Sequence, residues 1–286
     1  MILVTGATGT VGSFLVAELA ALDAPFRALT RSEAHATALR ARGFHVVVGD
    51  FQDPESLRPA VEGVERIFLL SPIDARLVEY ETNVLGVARE YGTPHVVKLS
   101  VIDADAASPC RFLRVHGESE EAVRWSALPF TFLRPGNFMQ NWLGAPAATV
   151  RRDGLLYSNY GEAPVNHVDA ADIGRAAAVV LLGIGHEGRT YTLTGPASVT
   201  MPDVAELLAE RIGRPVRHVE LSDVELRGAL HAATLPLWLA DGLVELGRYF
   251  RTGRAGVTTD AVRHLTGIPP ASVAEFLARH REHFTP

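Results

Sequence analysis

A glycine-rich turn near the start of the chain constrains its fold more than any other feature. The apolar run Met1-Ile2-Leu3-Val4 predicts a short buried strand, and the segment Thr5-Gly6-Ala7-Thr8-Gly9-Thr10-Val11-Gly12 follows it directly. Apolar residues then recur at spacings of three and four from Val11 to Leu22, as they do on one face of a helix. A strand, a glycine turn and a helix in this order are typical of the phosphate cradle of a dinucleotide-binding fold.

The three glycines suit different tasks in such a cradle. Gly6 takes the tight turn, Gly9 lets the backbone approach a pyrophosphate, and Gly12 permits close packing of the helix. The N–H groups that begin a helix also favour an anion. The spacing G-x-x-G-x-x-G differs from the general fingerprint, so a turn without a ligand is the alternative. We predict a dinucleotide site formed by Gly6, Thr8, Gly9, Thr10, Val11 and Gly12.

Strand-like and helix-like segments alternate through the first hundred residues. The apolar segments cover 1–4, 26–30, 44–48, 66–70 and 95–101, and a helix is expected over 77–91. This alternation predicts an α/β fold of the Rossmann type, with a doubly wound parallel sheet. Right-handed crossovers then bring the carboxyl ends of the strands to one edge of the sheet. We expect an NADP-binding domain over 1–150, to which 164–184 returns, and a smaller α/β substrate-binding or lid region over 151–286.

Arg31 stands just beyond the second predicted strand, where dinucleotide-binding proteins select their cofactor. An acid near this point bonds the ribose hydroxyls of NAD, whereas an arginine pairs with the 2′-phosphate of NADP. Thr30-Arg31-Ser32 offers a guanidinium and hydroxyls, and the nearest acid is Glu33. The sequence therefore favours NADP(H). The alternative is that Arg31 is an ordinary solvated residue at a helix start.

Further cofactor-lining candidates follow the third and fourth strands. Asp50 and Phe51 are expected near the adenine, with Asp50 at the amino group and Phe51 flanking the ring. They could equally be a turn aspartate and a core phenylalanine. Leu70, Ser71 and Pro72 are candidates to line the ribose and pyrophosphate.

Beyond the predicted helix 111–125 and strand 128–133, the segment 134–142 is rich in Gly, Pro and Asn and predicts a loop. This loop could deliver Asn137 and Phe138 to the nicotinamide end and Trp142 to a substrate wall. Short strands are expected at 155–157, 164–168 and 190–193. Helices are expected from Asp169 onward and over 201–212, 223–232, 237–250 and 272–284.

The catalytic motif of ordinary short-chain reductases cannot exist in this chain. That motif is Tyr-x-x-x-Lys, in which the lysine lowers the tyrosine pKa. Lys98 is the only lysine, and Pro94 stands four positions before it. His116 remains as a candidate, either as a proton donor or as a hydrogen-bonding partner of the nicotinamide ribose.

Other reactive residues carry weaker signals. Ser100 and Cys110 lack a histidine or acid at a diagnostic spacing, and we assign both to structure. His280, Glu282 and His283 supply no complete ligand set, so no metal is predicted. The segment 235–239 with Tyr249-Phe250 could wall an apolar pocket or belong to the core.

Composition limits which partners and which cell compartment are expected. The net charge is −6 and the basic residues are dispersed, which argues against nucleic-acid binding. One cysteine excludes an intrachain disulfide and suggests a reducing compartment. No signal peptide and no apolar run of ~20 residues is present. We expect a cytoplasmic protein without a membrane segment, and we leave a homodimer open.

Several segments together resemble the NmrA-like atypical short-chain reductases, and within them the quinone oxidoreductase 2 and triphenylmethane reductase branch. They are the glycine turn, Arg31, Gly49-Asp50-Phe51 and the segments 116–120, 129–139 and 168–174. The resemblance implies NADP(H) binding by the candidate residues. It also implies hydride transfer to a small apolar aromatic, quinone-like or enone acceptor.

The resemblance also limits the chemistry. Relatives that reduce phenylpropanoids carry a catalytic lysine where alignment places His116, so lysine-assisted chemistry is in doubt and solvent could protonate the product.

Two alternatives to this reductase function stay open. One is a redox sensor that binds NADP(H) and a protein partner without catalysis, and the other is a tailoring reductase of secondary metabolism.

Overall fold

The computed structural model describes residues 1–285 and resolves two compact units that interleave along the chain. The first unit comprises Met1–Ser108, Leu113–Arg134 and Ala170–Thr192. The second comprises Pro109–Phe112, Pro135–Asp169 and the chain from Leu193 onward. The change of unit therefore falls after Arg134 rather than near residue 150, because the strand ending at Pro135 is the last one that joins the sheet of the first unit before the chain returns at Ala170. The final residue of the expected second region, Pro286, lies outside the described residues.

The first unit is built on a seven-stranded sheet. Its order is β10-β6-β5-β4-β1-β2-β3, with parallel pairing of β1 to β2 and β4, of β2 to β3, of β4 to β5 and of β5 to β6. This confirms the α/β Rossmann prediction. The strands are β1 (Ile2–Val4), β2 (Phe26–Thr30), β3 (His45–Val48), β4 (Arg66–Leu69), β5 (His95–Leu99), β6 (Phe130–Pro135) and β10 (Arg189–Leu193).

Helices flank this sheet, and local sequence signals place their ends. Pro54 begins one of them, because a proline at the first helical position loses no hydrogen bond, and the Asp53 side chain caps it through the Glu55 N–H. A core of Leu, Ile, Val and Phe side chains fills the space between helices and sheet. The helices are α1 (Thr10–Ala21), α2 (Glu33–Ala41), α3 (Pro54–Val61), α4 (Leu77–Tyr91), α5 (Arg111–Trp125) and α7 (Ala170–Leu182).

Helix α7 returns to the first unit because it packs closely on α1. A Cβ atom placed on Gly174 would lie 2.8 Å from the Phe14 Cβ and 2.9 Å from the Leu15 backbone nitrogen. Only a residue without a side chain permits this approach of two helices. This contact explains why 170–192 belongs with the first unit although the chain has by then contributed to the second.

The second unit contains two small sheets and a separate apolar core. Its sheets have the orders β11-β9-β7 and β12-β8. Its strands are β7 (Asn137–Phe138), β8 (Leu155–Ser158), β9 (Val165–Val168), β11 (Ser198–Val199) and β12 (Arg217–Glu220). Its helices are α6 (Ala145–Asp153), α8 (Met201–Ile212), α9 (Asp223–Ala232), α10 (Leu237–Arg251), α11 (Ala261–Thr266) and α12 (Val273–Arg279). None of the helices among residues 1–285 is long and apolar enough to cross a bilayer.

The segment predicted as a loop over 134–142 is partly ordered. It contains the end of β6, the strand β7 and a 3-10 helix over Met139–Leu143. Strand β7 exists because it pairs with β9 through Asn137 to His167 and Phe138 to Val168, a partnership that local composition does not reveal. The helix predicted over 272–284 was too long: α12 ends at Arg279, and a separate 3-10 turn covers Arg281–His283.

Candidate functional site

The glycine turn lies at the carboxyl edge of the first unit's sheet, between the segment 70–72 on one side and Arg31 on the other. Because the strand order is β4-β1-β2-β3 and these strands are parallel, residues 70–72, the glycine turn, Arg31 and Asp50 follow one another along that edge. The sequence prediction that these segments meet at one edge is confirmed by this topology. What each side chain binds stays a prediction.

The conformation of the turn suits an anion. Gly6 has a φ of +62°, which favours glycine, and its carbonyl accepts a hydrogen bond of 2.9 Å from the Gly9 N–H. A Cβ atom on Gly12 would lie 2.0 Å from the Gly6 oxygen. Thr8, Gly9 and Thr10 are exposed. The backbone is therefore folded tightly on itself, and its exposed side is free of bulky groups.

Helix α1 differs from its neighbours at its N-terminus. Side chains cap α2 and α3, since Ser32 accepts from the His35 N–H and Asp53 from the Glu55 N–H. The N-cap of α1 is Gly9, which has no capping side chain, and the first turn carries no acid. The leading N–H groups of α1 are thus left for an external acceptor, and a pyrophosphate fits this donor set.

Thr5 ties the glycine turn to the segment after β4. Its Oγ1 accepts a hydrogen bond of 2.7 Å from the Leu70 N–H and lies 2.9 Å from the Leu70 carbonyl oxygen. A Cβ atom on Gly6 would approach Leu70 Cγ to 2.9 Å. Leu70 is half-buried and Pro72 is exposed. Leu70 therefore lies directly beside the glycine turn, as a lining role requires.

Ser71 is oriented differently from its neighbours. It is buried, and its Oγ donates to Glu81 Oε1 at 3.0 Å. A carboxylate accepts and does not donate, so the hydroxyl proton is committed to Glu81. The Ser71 hydroxyl can therefore only accept a hydrogen bond from a ligand. This condition suits a ribose hydroxyl and excludes a bond from this hydroxyl to a pyrophosphate oxygen.

Arg31 is exposed at the edge, and no hydrogen bond or ion pair engages its guanidinium within residues 1–285. The nearest acid, Glu33, is paired with Arg40 at 2.5 Å. The competing carboxylate is thereby occupied on the helix. The arginine remains available to a phosphate, which agrees with the NADP(H) prediction.

Asp50 and Phe51 have features both of an adenine-binding pair and of a turn aspartate with a core phenylalanine. Asp50 Oδ1 accepts the Gln52 N–H at 2.9 Å, as in a turn aspartate. Its other carboxylate oxygen has no hydrogen bond from residues 1–285 and can accept one from an adenine amino group. Phe51 is half-buried against the core and stacks on Tyr80 with ring centroids 6.1 Å apart.

His116 lies on α5 and is 8% exposed, with an Nδ1 atom that has no hydrogen-bond partner within residues 1–285. Burial, and after it the positive charge of Lys98, lower the pKa of His116 well below its usual value. The imidazole is therefore neutral near neutral pH. A neutral imidazole can hydrogen-bond a ribose but is a poor proton donor, so the electrostatics favour the lining role over the acid role.

A buried polar network joins β5 and α4 to α5, the helix that carries His116, and sequence reasoning missed it. Lys98 Nζ donates to Glu81 Oε2 at 2.6 Å, and Glu120 accepts from Ser100 Oγ at 2.6 Å. Arg134 also pairs with Glu120, at 2.6 Å. Ser100 is thus held by Glu120, and its assignment to structure stays a prediction. The presence of a single lysine in the chain was the one signal that could have drawn attention to Lys98.

In the second unit, Asn137 and Phe138 are half-buried in β7. Asn137 Oδ1 accepts from Asn141 Nδ2 at 3.0 Å, and Asn137 Nδ2 lies 3.3 Å from His167 Nδ1. The Asn137 side chain is therefore held by its neighbours. Its predicted place at the nicotinamide end stays a prediction.

Two titratable groups next to Asn137 are kept neutral. Burial lowers the pKa of His167 to about 3. Burial raises the pKa of Tyr160 to about 12, although a hydrogen bond to Asn137 acts in the opposite direction. Neither group carries a charge near neutral pH.

The expectation that Trp142 forms a substrate wall is wrong. Trp142 is 3% exposed and belongs to the core of the second unit, with its ring 4.4 Å from the His167 ring. Phe250 is likewise buried, whereas Leu237 is 67% exposed. An aromatic residue in a loop-like sequence was thus mistaken for a surface residue, because its burial depends on α12 and β9.

The C-terminal histidines form a loose cluster. The ligand atoms of His280, Glu282 and His283 all lie within 4.8 Å of one another, and Glu282 and His283 are exposed. Cys110 is buried.

The comparisons with known proteins bear on the whole chain. The family model described as "NmrA-like family" matches residues 1–257. The chain is 36% identical over 284 residues to the NAD(P)H azoreductase of Xenophilus azovorans, covering 99% of each. It is 37% identical over 294 aligned positions to the (4-alkanoyl-5-oxo-2,5-dihydrofuran-3-yl)methyl phosphate reductase of Streptomyces griseus, covering 100% of each.

Among solved structures, the chain is similar to the NADPH-dependent quinone oxidoreductase QOR2 of Escherichia coli in complex with NADPH. The TM-score is 0.90 at 30% identity, over 98% of this chain and 99% of the other. The similarity covers both compact units of the fold.

Proposed function

This chain belongs to the NmrA-like family, and from that premise we propose that it transfers a hydride from NADPH to a quinone or a related electron-poor aromatic or enone compound. At the coarser level it is an NAD(P)H-dependent oxidoreductase and binds NADP(H), as its named relatives do. The observation that carries the proposal is the juxtaposition, on one sheet edge, of an uncapped α1 and an unpaired Arg31.

We assign the cofactor's parts to the residues along this edge. The N–H groups at the start of α1 hold the pyrophosphate, and Arg31 binds the 2′-phosphate. The free carboxylate oxygen of Asp50 accepts from the adenine amino group, and Phe51 flanks the ring. When bound, NADPH supplies the hydride, and the protein orients it and limits its exposure to water.

The substrate class is inferred from chemistry that the relatives share. Their names specify an azo compound, a 5-oxo-2,5-dihydrofuran, which is a conjugated lactone, and a quinone. Each has a polarised or electron-poor unsaturated bond to which a hydride can add. We therefore propose a small acceptor of this kind for this chain. These names do not require an apolar acceptor, since the lactone carries a phosphate ester, and the apolar character stays a prediction. A role in secondary metabolism and a homodimer stay predictions.

No side-chain acid is needed for a quinone. Hydride addition to a quinone leaves an aryl oxide anion, which takes its proton from water, so one hydride and one proton give the hydroquinone. This agrees with the neutral state of His116, whose low pKa makes it a poor donor. We assign His116 to hydrogen bonding of the ribose next to the nicotinamide.

The test is NADPH oxidation with a panel of quinones, azo dyes and conjugated lactones, with NADH in parallel. We expect turnover of at least one class and a preference for NADPH. His116→Gln should retain much of kcat with a quinone, because the variant keeps a hydrogen-bonding side chain and no acid is lost. Tight NADPH binding without turnover of any acceptor would contradict the proposal and favour the sensor alternative.

A further inference from the structure

The only lysine of this chain lies in a fully buried ion pair. Lys98 is 0% exposed on β5, and Glu81 is 1% exposed on α4, with 2.6 Å between Nζ and Oε2. All the other residues in the count of lysines and arginines are arginines. A compact ammonium makes one short bond to a carboxylate, whereas a guanidinium needs room for a planar fork. The site therefore selects for lysine by its size.

Glu81 also holds two hydroxyls. Its Oε1 accepts from Ser71 Oγ at 3.0 Å, and its Oε2 accepts from Ser119 Oγ. Ser71 follows β4 at the carboxyl edge, and Ser119 lies on α5 one turn beyond His116. Glu81 thus connects three segments: the exit of β4, the strand β5 and the His116 turn of α5.

Stability alone is a weak reason to keep such a pair. Replacement of a buried ion pair by apolar residues is often neutral or stabilising, whereas removal of one partner is costly. The pair is more informative as a constraint on geometry. It fixes the direction of the Ser71 hydroxyl and the distance of His116 from the end of β4.

We propose that Glu81 and Lys98 are positioning residues for the ribose next to the nicotinamide: the pair makes Ser71 an acceptor for a ribose hydroxyl and holds His116 beside it. The inference rests on the proposed function, since it concerns the NADP(H) site. Neither residue touches the cofactor in this scheme. Both act through Ser71, Ser119 and His116.

The charges around His116 make the role of Lys98 measurable. Burial is the main cause of the low His116 pKa, and Lys98 is the charged side chain that adds to it. The carboxylates of α4 and α5 closest to this network are each paired, Glu81 with Lys98 and Glu120 with Arg134. Loss of the Lys98 charge by itself should therefore move the His116 titration upward, and the single variant Lys98→Met tests this.

The central experiment compares Glu81→Gln, Lys98→Met and the double variant. Each single variant should lose stability in urea unfolding, because an unpaired charge stays buried, and the double variant should regain most of it. The double variant should still bind NADPH about tenfold more weakly in a fluorescence titration, because two hydrogen-bonding groups lose their fixed direction. In Lys98→Met the NMR titration midpoint of His116 should shift upward, because a positive charge is removed.

Two further variants complete the design. Glu90 lies on α4, as Glu81 does, and forms an exposed ion pair with Arg58 of α3. Glu90→Gln should leave NADPH affinity and the His116 titration unchanged. Ser119→Ala removes the hydrogen bond that Ser119 Oγ donates to Glu81 and changes no charge, so it tests the network even if the double variant fails to fold. We expect an affinity loss of about fivefold for Ser119→Ala.

The outcomes separate the two proposals. Wild-type affinity in the double variant or, if that variant does not fold, in Ser119→Ala would overturn the positioning role, as would an unchanged His116 titration in a folded Lys98→Met variant. If the wild-type protein binds no NADPH, the proposed function fails first and this inference with it. Normal wild-type binding with weakened variants supports the inference whether or not an acceptor has been found.

Discussion

Arg31 is the residue on which the proposed cofactor selectivity depends. It lies between Thr30, which is buried at the end of β2, and Ser32, which caps α2. Its position is therefore fixed by the backbone while its guanidinium stays exposed. The neighbouring Glu33 is paired with Arg40, so it neither offsets the arginine's charge directly nor offers its carboxylate to a ribose.

Arg31→Ala should weaken NADPH binding by about 10- to 100-fold, because charge-assisted hydrogen bonds to the 2′-phosphate are lost. NADH lacks that phosphate, so its affinity should change by less than about twofold. Fluorescence titration with both cofactors measures the two values. Arg42→Ala, at the other end of α2, removes the same charge and serves as the control. An equal loss for both cofactors in Arg31→Ala would refute the selectivity argument.

Helix α1 connects the cofactor edge to the rest of the first unit. Its start is pressed against the glycine turn at Gly12, and its second turn meets α7 at Gly174. A change at Gly174 therefore alters the support of the helix whose N-terminus we propose to hold the pyrophosphate. The packing of α1 on α7 thus supports the proposed binding geometry, although α7 carries no proposed ligand.

Gly174→Ala should destabilise the protein by about 1–3 kcal/mol, because the added methyl overpacks the contact with Phe14 and Leu15. Gly86→Ala is the matched control, since Gly86 lies in α4 and a methyl group added there would have nothing within 4 Å. That change should stabilise by roughly 0.5–1 kcal/mol through helix propensity. Urea unfolding of both variants measures the difference. Equal effects of the two substitutions would mean that α7 does not pack tightly on α1.

For the whole molecule, buried histidines link stability to pH. Burial lowers the pKa of His167 to about 3 in the folded protein, below the unfolded value near 6.5. The unfolded chain therefore binds the proton first as the pH falls. The stability associated with neutral His167 is fully present above about pH 6.5 and is lost progressively from there toward pH 3.

His167→Gln should lessen this acid sensitivity. Between pH 6.5 and 4.5 the wild-type protein should lose roughly 2 kcal/mol more unfolding free energy than the variant, since one fewer group titrates. Urea midpoints across this range provide the measurement. His35→Gln, at an exposed histidine of α2, is the control. Parallel pH profiles for wild type and His167→Gln would contradict a depressed pKa.

Local signals predicted much of the fold. The helices α4, α5, α8 and α9 have the bounds that the sequence predicts, because apolar periodicity and capping residues act over a few positions. The short strands β7, β11 and β12 were not predicted from the sequence, since each depends on a partner distant in sequence. The resemblance to the NmrA-like family is confirmed by the match over residues 1–257.

The sequence by itself determined the glycine turn, the alternating strands and the position of Arg31, since these depend on backbone conformation within short segments. Only the tertiary structure decided that Trp142 is a core residue, that Ser71 donates to Glu81 and that the sole lysine is buried. Glu81 meets Lys98 across 17 positions and Ser119 across 38. Such partnerships arise when separate elements pack, so no local pattern records them.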